Sequence, residues 1–370
     1  MALIFDNSHL ADLVLRTRTF RSATWEGLAD KGGFVRPELV RLIADLARNS
    51  VGMVITGYLY VSPEGRGLPY QTGVWDETHV EGLSKITKAV HDEGGLVAAQ
   101  IAHAGGRTRR EYIDGQTPLA PSAVEGFAFG DTPREMATAE IEGVIESFAQ
   151  GARRVKEAGF DAVQLHCAHN YLLSQFLNPL VNQRGDHYGG SPEKRRRLII
   201  EVYDAVREVV GEEFPILVKL NTTDGPEGGI SIQEALGVAK VLTARGLAAV
   251  EVSGGMAGSN DYRASRKGIV SPSQEAYFRE AARIFKQELT IPVILVGGIK
   301  SYEVAEEILG KGDADYVSFS RPLICEPDLI ERWRRGDKSR SKCLSCNGCL
   351  GEGLKGGGIA CVGKRSAQEE

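Results

Sequence analysis

The chain of 370 residues is long enough for one large domain or two ordinary ones, and its 42% apolar and 25% charged residues are typical of a globular protein rather than a disordered or fibrous one. A net charge of −5 disfavours a nucleic-acid-binding protein, which usually carries a basic excess. No stretch approaches the roughly 20 apolar residues of a membrane span, and the N-terminus lacks the features of a signal peptide, so the sequence predicts a cytoplasmic protein that does not enter a membrane.

Short apolar runs rich in Val, Ile and Leu recur along the chain and are typical of strands buried on both faces. These runs are Thr19–Thr24, Val51–Thr56, Leu96–Ile101, Ala162–His166, Ile216–Asn221, Ala249–Ser253, Val293–Val296 and Tyr316–Ser320. The segments with helical periodicity are Pro37–Arg48, Val80–Glu93, Ala139–Ala158, Pro192–Val210, Ile232–Ala244, Gln274–Gln287, Tyr302–Leu309 and Pro327–Arg335. This alternation predicts an α/β fold, a (β/α)₈ TIM barrel over residues 1–335. A doubly wound open sheet is the alternative, but it favours a glycine fingerprint after the first strand, which this sequence lacks there.

Two segments stand outside the alternation. Thr108–Thr138, after the third strand, is the longest connection, and we expect it to form an elaborated loop over the mouth of the barrel. Residues 336–370 form a tail rich in Cys and Gly that carries little to bury, so we expect an irregular loop. Four of the six cysteines lie in this tail, and without a secretion signal such a cluster favours metal or redox chemistry over disulfides.

The most informative stretch follows the fourth predicted strand and places His166, His169 and Tyr171 within six residues. In a barrel, chemistry gathers at the carboxyl ends of the strands, so we expect the three side chains to converge there. Two imidazoles can hold an oxygen anion between them, and a phenol can deliver a proton. The stretch therefore predicts reduction of an activated double bond. The alternative is three packed polar groups without a role.

Other polar groups follow the later strands. Gly297 and Gly298 come after the seventh strand, and Ser320 and Arg321 come after the eighth, where barrels frequently bind phosphate. Lys219 is a cation among the apolar residues of the fifth strand. Its structural interpretation is a salt bridge to a neighbouring strand. Its functional interpretation is a positive charge that stabilises the reduced, anionic form of an electron-rich ring.

Three motifs resemble those of the old yellow enzyme family of FMN-dependent NAD(P)H:flavin oxidoreductases and ene-reductases. They are residues 176–191 (FLNPLVNQRGDHYGGS), 99–107 (AQIAHAGGR) and 312–322 (GDADYVSFSRP). The resemblance covers roughly residues 1–335. It implies a (β/α)₈ barrel that binds FMN and takes hydride from NADH or NADPH.

The resemblance also implies roles for individual residues. His166 and His169 would hold the carbonyl oxygen of the substrate, and Tyr171 would protonate the carbon opposite the one that receives hydride. Thr24 or Trp25 would occupy the position that tunes the redox potential of the flavin. The full flavin-binding set implied by position is Ala23, Thr24, Trp25, Gly57, Gln100, Lys219, Gly297, Gly298, Ser320 and Arg321.

The cysteine tail resembles the 2,4-dienoyl-CoA reductase branch, in which a similar cluster holds a [4Fe–4S] centre and passes electrons from a second flavin domain. Cys343, Cys346, Cys349 and Cys361 have the spacing Cys-x₂-Cys-x₂-Cys-x₁₁-Cys. The first three cysteines of that branch are spaced slightly differently. The spacing in this chain suits either an iron–sulfur cluster or zinc, and reduced thiols without metal are the alternative.

Three functions follow from these patterns. The leading hypothesis is an FMN enzyme that transfers hydride from NAD(P)H to the C=C bond of an α,β-unsaturated carbonyl compound or thioester. The second is an FMN and iron–sulfur electron-transfer subunit fed by a partner reductase. The third is a barrel that binds a phosphorylated metabolite without redox chemistry. A homo-oligomer or a redox partner protein is compatible with the first two.

Overall fold

Eight parallel strands close into a barrel, so the predicted (β/α)₈ fold is confirmed. The computed structural model describes residues 3–126, 130–256 and 262–365. The barrel strands are β1 (Thr19–Arg21), β2 (Met53–Ile55), β3 (Leu96–Ala102), β4 (Ala162–Cys167), β5 (Ile216–Asn221), β6 (Ala249–Ser253), β7 (Val293–Val296) and β8 (Tyr316–Phe319). Each strand pairs in parallel with its neighbours, and the pairing of β8 with β1 closes the ring.

Helices surround the barrel and begin and end at recognisable sequence signals. They are α1 (Pro37–Arg48), α2 (His79–Asp92), α3 (Thr138–Glu157), α4 (Arg197–Val210), α5 (Ile232–Thr243), α6 (Arg279–Glu288), α7 (Tyr302–Lys311) and α8 (Leu329–Arg334). Pro37 occupies the first turn of α1, Ser231 and Glu234 form a capping box at α5, and Gly312 ends α7 in the left-handed conformation.

Shorter elements lie between these strands and helices. The short strands are Ser8–Leu10, Leu13–Leu15, Leu59–Tyr60, Leu119–Ala120 and Arg134–Glu135. The short α-helices are Leu172–Leu177, Pro192–Arg195, Arg321–Cys325, Gly348–Glu352 and Val362–Arg365. The 3₁₀ turns are Pro63–Gly65, Arg110–Tyr112 and Pro272–Gln274, and Gly353–Gly357 forms a π-helical turn.

One predicted helix is interrupted in the structure, and another begins several residues later than predicted. The helix predicted over Pro192–Val210 is interrupted at Arg196, next to the buried Arg195, whose guanidinium donates to the carbonyl of Leu177 at 2.9 Å. The helix predicted over Gln274–Gln287 begins only at Arg279. Ala276 has a φ of +53°, which a right-handed helix cannot contain.

The two ends of the barrel differ in polarity, and this difference positions the site. At the amino end, Leu10 and Leu15 of the N-terminal hairpin pack with Phe20 and Tyr316 inside the barrel. Nearer the carboxyl end, buried polar and charged side chains replace the apolar ones. We therefore expect ligands to enter at the carboxyl end, the usual location in this fold.

The long connection Thr108–Thr138 is present, but none of its described residues lines the main cavity. Residues 127–129 of this connection lie outside the described residues. The tail is not the plain loop that we expected, because short helical turns form from Gly348 onward. Residues 366–370 of the tail lie outside the described residues as well. No helix in the described ranges is both long and apolar enough to cross a membrane.

Candidate active site

A cavity of about 470 Å³ opens at the carboxyl end of the barrel and contains most of the residues singled out from the sequence. The predicted site residues that line it are Ala23, Thr24, Trp25, Gln100, His166, His169, Tyr171, Lys219, Gly298, Ser320 and Arg321. A larger cavity of about 640 Å³ is lined mainly by residues of α1 and α2 and contains none of the three predicted catalytic side chains. The convergence of polar groups therefore identifies the first cavity as the candidate site.

The histidine and tyrosine side chains of the predicted trio meet as expected. His169 and the following Asn170 both have positive φ, near +60°, and this turn brings the chain back toward the barrel. The ring of Tyr171 stacks on that of His166 at 4.3 Å between centroids, and the ring of His169 lies 5.3 Å from that of His166. The sequence order strand, tight turn, helix thus produces one compact polar group.

The two imidazoles have different surroundings. His166 is buried, and its Nδ1 has no hydrogen-bond partner among the described residues. The Nε2 atom of His169 lies 2.7 Å from the hydroxyl of Ser253, and its backbone N–H donates to Asn221. Burial, reinforced by nearby positive charge, holds the pKa of both imidazoles well below the usual value of 6.5. Both rings are therefore neutral at pH 7, and each carries one N–H.

Tyr171 has two neighbours that the sequence analysis missed, Tyr58 and Arg107. Burial raises the pKa of Tyr171, whereas the positive charge of Arg107 and a hydrogen bond with Tyr58 lower it. The same hydrogen bond raises the pKa of Tyr58, as expected if the Tyr58 hydroxyl donates to the Tyr171 oxygen. The phenol of Tyr171 is therefore protonated at neutral pH, and its proton is free to point into the cavity.

Lys219 forms the salt bridge of its structural interpretation, whereas its functional interpretation stays a prediction. Its ammonium lies 3.2 Å from Glu251 on the neighbouring strand β6, and it also lines the cavity. Register explains the pair, because Lys219 is directly opposite both Glu251 and His166 in the parallel sheet. Burial lowers the pKa of Lys219, and Glu251 opposes that shift.

Glu251 is the centre of a buried hydrogen-bond network beneath the cavity. It accepts from Ser22 at 2.7 Å, from Gln164 at 3.0 Å and from Ser318 at 3.0 Å. Gln100, a predicted site residue, donates to Gln164 at 2.6 Å. The network fixes the side chains that form the floor of the cavity, so the cavity is preorganised rather than assembled on binding.

Three of the four residues predicted to bind a phosphate group, Gly298, Ser320 and Arg321, line the same cavity. Gly298 has a φ of +73°, and a Cβ at this position would lie 2.7 Å from the ring of Tyr277, so only glycine fits. The guanidinium of Arg321 donates to the carbonyl of Arg266 at 2.8 Å and to the side chain of Asn347 at 2.7 Å. The hydroxyls of Thr24 and Ser320 lie 2.8 Å apart.

Some predicted residues lie beside the cavity rather than on its wall. The N–H of Gly57 donates to the buried carboxylate of Glu26 at 2.7 Å, and a Cβ on Gly57 would collide with the same carboxylate. The carbonyl of Gly297 accepts from the N–H of Tyr277. His103, which lies in the motif of residues 99–107, is buried and accepts from the N–H of Gly105, which is a structural role.

The tail contributes to the site in a way that the sequence did not indicate. Leu350 and Ile359 line the cavity, and Gly353 packs against the indole of Trp25. The N–H of Ile359 donates to the carbonyl of Glu26 at 2.7 Å, which ties the tail to the loop after β1. The apolar residues of the tail are scattered without a period, so such packing could not be predicted from them.

The four tail cysteines converge but do not form a preformed metal site. Cys343, Cys346, Cys349 and Cys361 line one small cavity of about 20 Å³ beside Arg321. Within the described ranges, no three or more His, Cys, Asp or Glu side chains are arranged to hold a metal ion. A space of this size accommodates about one water molecule. Bound metal stays a prediction.

The chemistry of the main cavity fits FMN. Five basic side chains line it, and none of its lining residues in the described part of the chain is Asp or Glu. The indole Nε1 of Trp25 and the Nδ1 of His166 are buried without a partner among the described residues. Because Gly298 has no side chain, its backbone is open to a ligand in the cavity that Arg321 also lines. A polar ring with a phosphate would satisfy these groups together.

Comparisons with known proteins agree with the motifs. A model of the family described as NADH:flavin oxidoreductase / NADH oxidase matches residues 4–339. The NADH oxidase of Thermoanaerobacter brockii is 35% identical over 356 residues, which cover 94% of this chain and 53% of the relative.

Two solved structures are also similar. A 2-naphthoyl-CoA reductase in complex with 2-naphthoyl-CoA superposes with a TM-score of 0.90 at 26% identity, covering 97% of this chain and 56% of that one. The old yellow enzyme homologue from Zymomonas mobilis has a TM-score of 0.77 at 27% identity, covering 93% of this chain and 96% of that one. This chain therefore spans about half the length of the NADH oxidase and of the 2-naphthoyl-CoA reductase.

Proposed function

We propose that this chain, which belongs to the NADH:flavin oxidoreductase / NADH oxidase family, is an NAD(P)H:flavin oxidoreductase of the old yellow enzyme type that reduces the C=C bond of an α,β-unsaturated carbonyl compound. Family members use FMN with NADH or NADPH. The observation that carries the proposal is the convergence of His166, His169 and Tyr171 in one cavity with Lys219.

His166 and His169 are proposed to hold the carbonyl oxygen of the substrate. Both imidazoles are neutral, so each offers one N–H to an oxygen that gains negative charge during the reaction. The unpartnered Nδ1 of His166 is available for this contact. When the Ser253 hydroxyl donates to Nε2 of His169, the proton of that ring resides on Nδ1, from which it can be donated to the substrate.

Tyr171 is proposed to supply the proton. Its hydroxyl is protonated at neutral pH because burial raises the pKa. After the proton leaves, the phenolate is stabilised by the hydrogen bond from Tyr58 and by the charge of Arg107 above the ring, 4.5 Å from its centroid. The product gains one hydrogen at each carbon of the former double bond, one as hydride and the other as this proton.

When bound, FMN supplies the hydride that it has received from NADH or NADPH. We propose that Lys219 lies against the ring, with Glu251 holding the ammonium in place. Thr24 and Trp25 both line the cavity, and both stay candidates for the tuning position. The remaining residues proposed to hold the group are Ala23, Gly57, Gln100, Gly297, Gly298, Ser320 and Arg321.

The substrate class extends to thioesters. A thioester carbonyl presents the same oxygen to two N–H donors as a ketone does. The similar 2-naphthoyl-CoA reductase acts on such a compound. For this chain we propose an α,β-unsaturated ketone, ester or thioester as the small-molecule substrate. A cytoplasmic location and a homo-oligomeric state stay predictions from the sequence.

Anaerobic spectroscopy tests this function directly. We expect protein saturated with FMN to lose its yellow absorbance on addition of NADH or NADPH and to regain it when 2-cyclohexenone is added. Nicotinamide deuterated at the transferred position should place deuterium on the β-carbon of the product. Protein that stays colourless after added FMN would contradict the proposal and favour a barrel that only binds a phosphorylated metabolite.

A second function is favoured by one observation: Arg321 lines both the main cavity and the small cysteine cavity. A redox centre held by the cysteines would therefore lie next to the phosphate end of the flavin site, which suits an electron-transfer subunit fed by a partner protein.

Metal analysis tests the electron-transfer function. If the cysteines hold a cluster, anaerobically prepared protein should contain about four iron and four sulfide per chain, and Cys346→Ser should lose both. Cys167→Ser is the matched control, because Cys167 is buried in β4 away from the tail. Protein that contains no iron and no sulfide, even after anaerobic reconstitution, would remove the electron-transfer hypothesis.

A further inference from the structure

Arg107 differs from the other basic residues of the cavity in having no polar partner. Lys219, Lys300 and Arg321 each donate hydrogen bonds to the protein, to Ser22, to the carbonyl of Ile269 and to Asn347 respectively. Within the described ranges, the guanidinium of Arg107 forms neither a hydrogen bond nor an ion pair. Its recorded contact is the face of the Tyr171 ring, 4.5 Å from the centroid.

The loop that carries Arg107 is held rigidly, so the position of the guanidinium is not accidental. Gln175 accepts from the N–H of Gly106 at 3.1 Å and donates to the carbonyl of Ala104 at 3.2 Å. Gly105 has a φ of +61°, and a Cβ there would lie 2.3 Å from the Gln175 amide. The loop therefore permits only glycine at this position, and it presents Arg107 to the cavity at a fixed place.

The surroundings of Arg107 favour an anion. A guanidinium has five N–H donors in a planar fork that matches a carboxylate. The cavity wall offers no Asp or Glu from the described residues to occupy that fork. An arginine that faces a cavity without a counter-ion is a common device for binding an anionic ligand.

We propose that Arg107 binds a carboxylate carried by the substrate, so that the enzyme acts on α,β-unsaturated carbonyl compounds bearing an anionic group next to the α-carbon. This inference rests on the proposed function, in which Tyr171 protonates that carbon. Because Arg107 lies against the Tyr171 ring, its anion belongs to the reacting fragment rather than to a distant part of a long ligand. The phosphates of NADPH or of a CoA thioester are the other source of the same charge.

A matched pair of substrates tests the proposal on the FMN-saturated enzyme. The 1-methyl ester of itaconic acid carries a free CH₂COO⁻ on the α-carbon, and dimethyl itaconate is its neutral counterpart. We expect kcat/KM for the monoester to exceed that for the diester by about 10- to 100-fold, the usual effect of an ionised hydrogen bond. In Arg107→Met this ratio should fall to about one, mainly through a rise in KM for the monoester.

Arg110→Met is the control, since it removes a positive charge from an exposed residue three positions later that does not line the cavity. An unchanged preference in Arg107→Met would overturn the proposal. Equal losses on both substrates would also overturn it and would give Arg107 a positioning role toward Tyr171 alone. If Arg107→Met keeps the preference for the monoester but no longer prefers NADPH over NADH, then Arg107 binds a phosphate of NADPH instead of a substrate carboxylate.

Calorimetry with the saturated analogues separates this inference from the proposed function. The wild-type oxidised holoenzyme should bind the 1-methyl ester of methylsuccinic acid about 10-fold or more tightly than the dimethyl ester. Arg107→Met should bind the two esters equally. If dimethyl itaconate is not reduced but the preference in binding is present, then the proposed function fails and the anion site stands. If dimethyl itaconate is reduced without any preference in binding, the anion site fails alone.

Discussion

Tyr171→Phe is expected to slow reoxidation of the reduced enzyme by an enone by about 10²- to 10⁴-fold, the usual contribution of a positioned general acid. The substitution removes only the hydroxyl and keeps the ring that stacks on His166. Reduction of the flavin by NADH or NADPH needs no proton from this phenol, so that half-reaction should keep its rate. Stopped-flow measurement of the two half-reactions separates them.

Tyr203→Phe is the matched control, because that phenol lies on α4 and donates to the carbonyl of Arg245, away from the cavity. The pH dependence gives an independent readout. The wild-type rate should be flat from about pH 7 to about pH 9, since the two imidazoles are already neutral and Tyr171 is still protonated over this range. An enone rate in Tyr171→Phe equal to that of the wild type would exclude Tyr171 as the proton donor.

Tyr58 influences how far the rate of enone reduction falls in Tyr171→Phe. The two rings lie 5.0 Å apart, and the hydrogen bond between the phenols raises the pKa of Tyr58 and lowers that of Tyr171, as expected when Tyr58 is the donor. In Tyr171→Phe the Tyr58 hydroxyl loses its acceptor and can turn toward the substrate. We expect the double variant Tyr58→Phe/Tyr171→Phe to be slower than Tyr171→Phe alone, because no phenol then faces the double bond.

The barrel was predictable from the sequence because each strand is a short, continuous apolar run followed by a helix with its own start and stop signals. Strands Ile216–Asn221, Ala249–Ser253 and Val293–Val296 have the predicted bounds. The meeting of His166, His169 and Tyr171 was predictable for the same reason, since they are close in the chain and a strand fixes the first of them.

The rest of the site depends on contacts between distant parts of the chain. Arg107 is the last residue of the recognised motif of residues 99–107. The sequence around it does not show that its guanidinium contacts the ring of Tyr171, 64 positions later. Glu251 gave a usable signal, a carboxylate in the middle of an apolar strand, and pairing it with Lys219 required the register of β5 and β6. The tail carried no periodic pattern, so its packing on Trp25 could not be anticipated.

Replacing Glu251 by Leu is expected to lower the free energy of unfolding by about 3–5 kcal/mol, because it leaves the ammonium of Lys219 buried without a counter-charge. The change also removes the acceptor of Ser22, Gln164 and Ser318. The double variant Lys219→Met/Glu251→Leu should recover the part of the loss that comes from the unpaired ammonium, but not the part that comes from the three donors. Urea unfolding of the apoprotein measures both without a contribution from FMN binding.

The pH dependence of this loss has a definite sign. Burial already places the pKa of Lys219 below its ordinary 10.5, and removal of Glu251, which raises that pKa, places it lower still. The folded variant therefore holds the proton of Lys219 less readily than the unfolded chain does, and this difference costs stability at neutral pH. The cost should shrink as the pH rises toward 10.5, where the unfolded chain releases the same proton. Two outcomes would show that the buried ion pair does not stabilise this layer of the barrel. One is a loss of stability in Glu251→Leu that stays constant from pH 7 to pH 10. The other is a double variant that is no more stable than the single one.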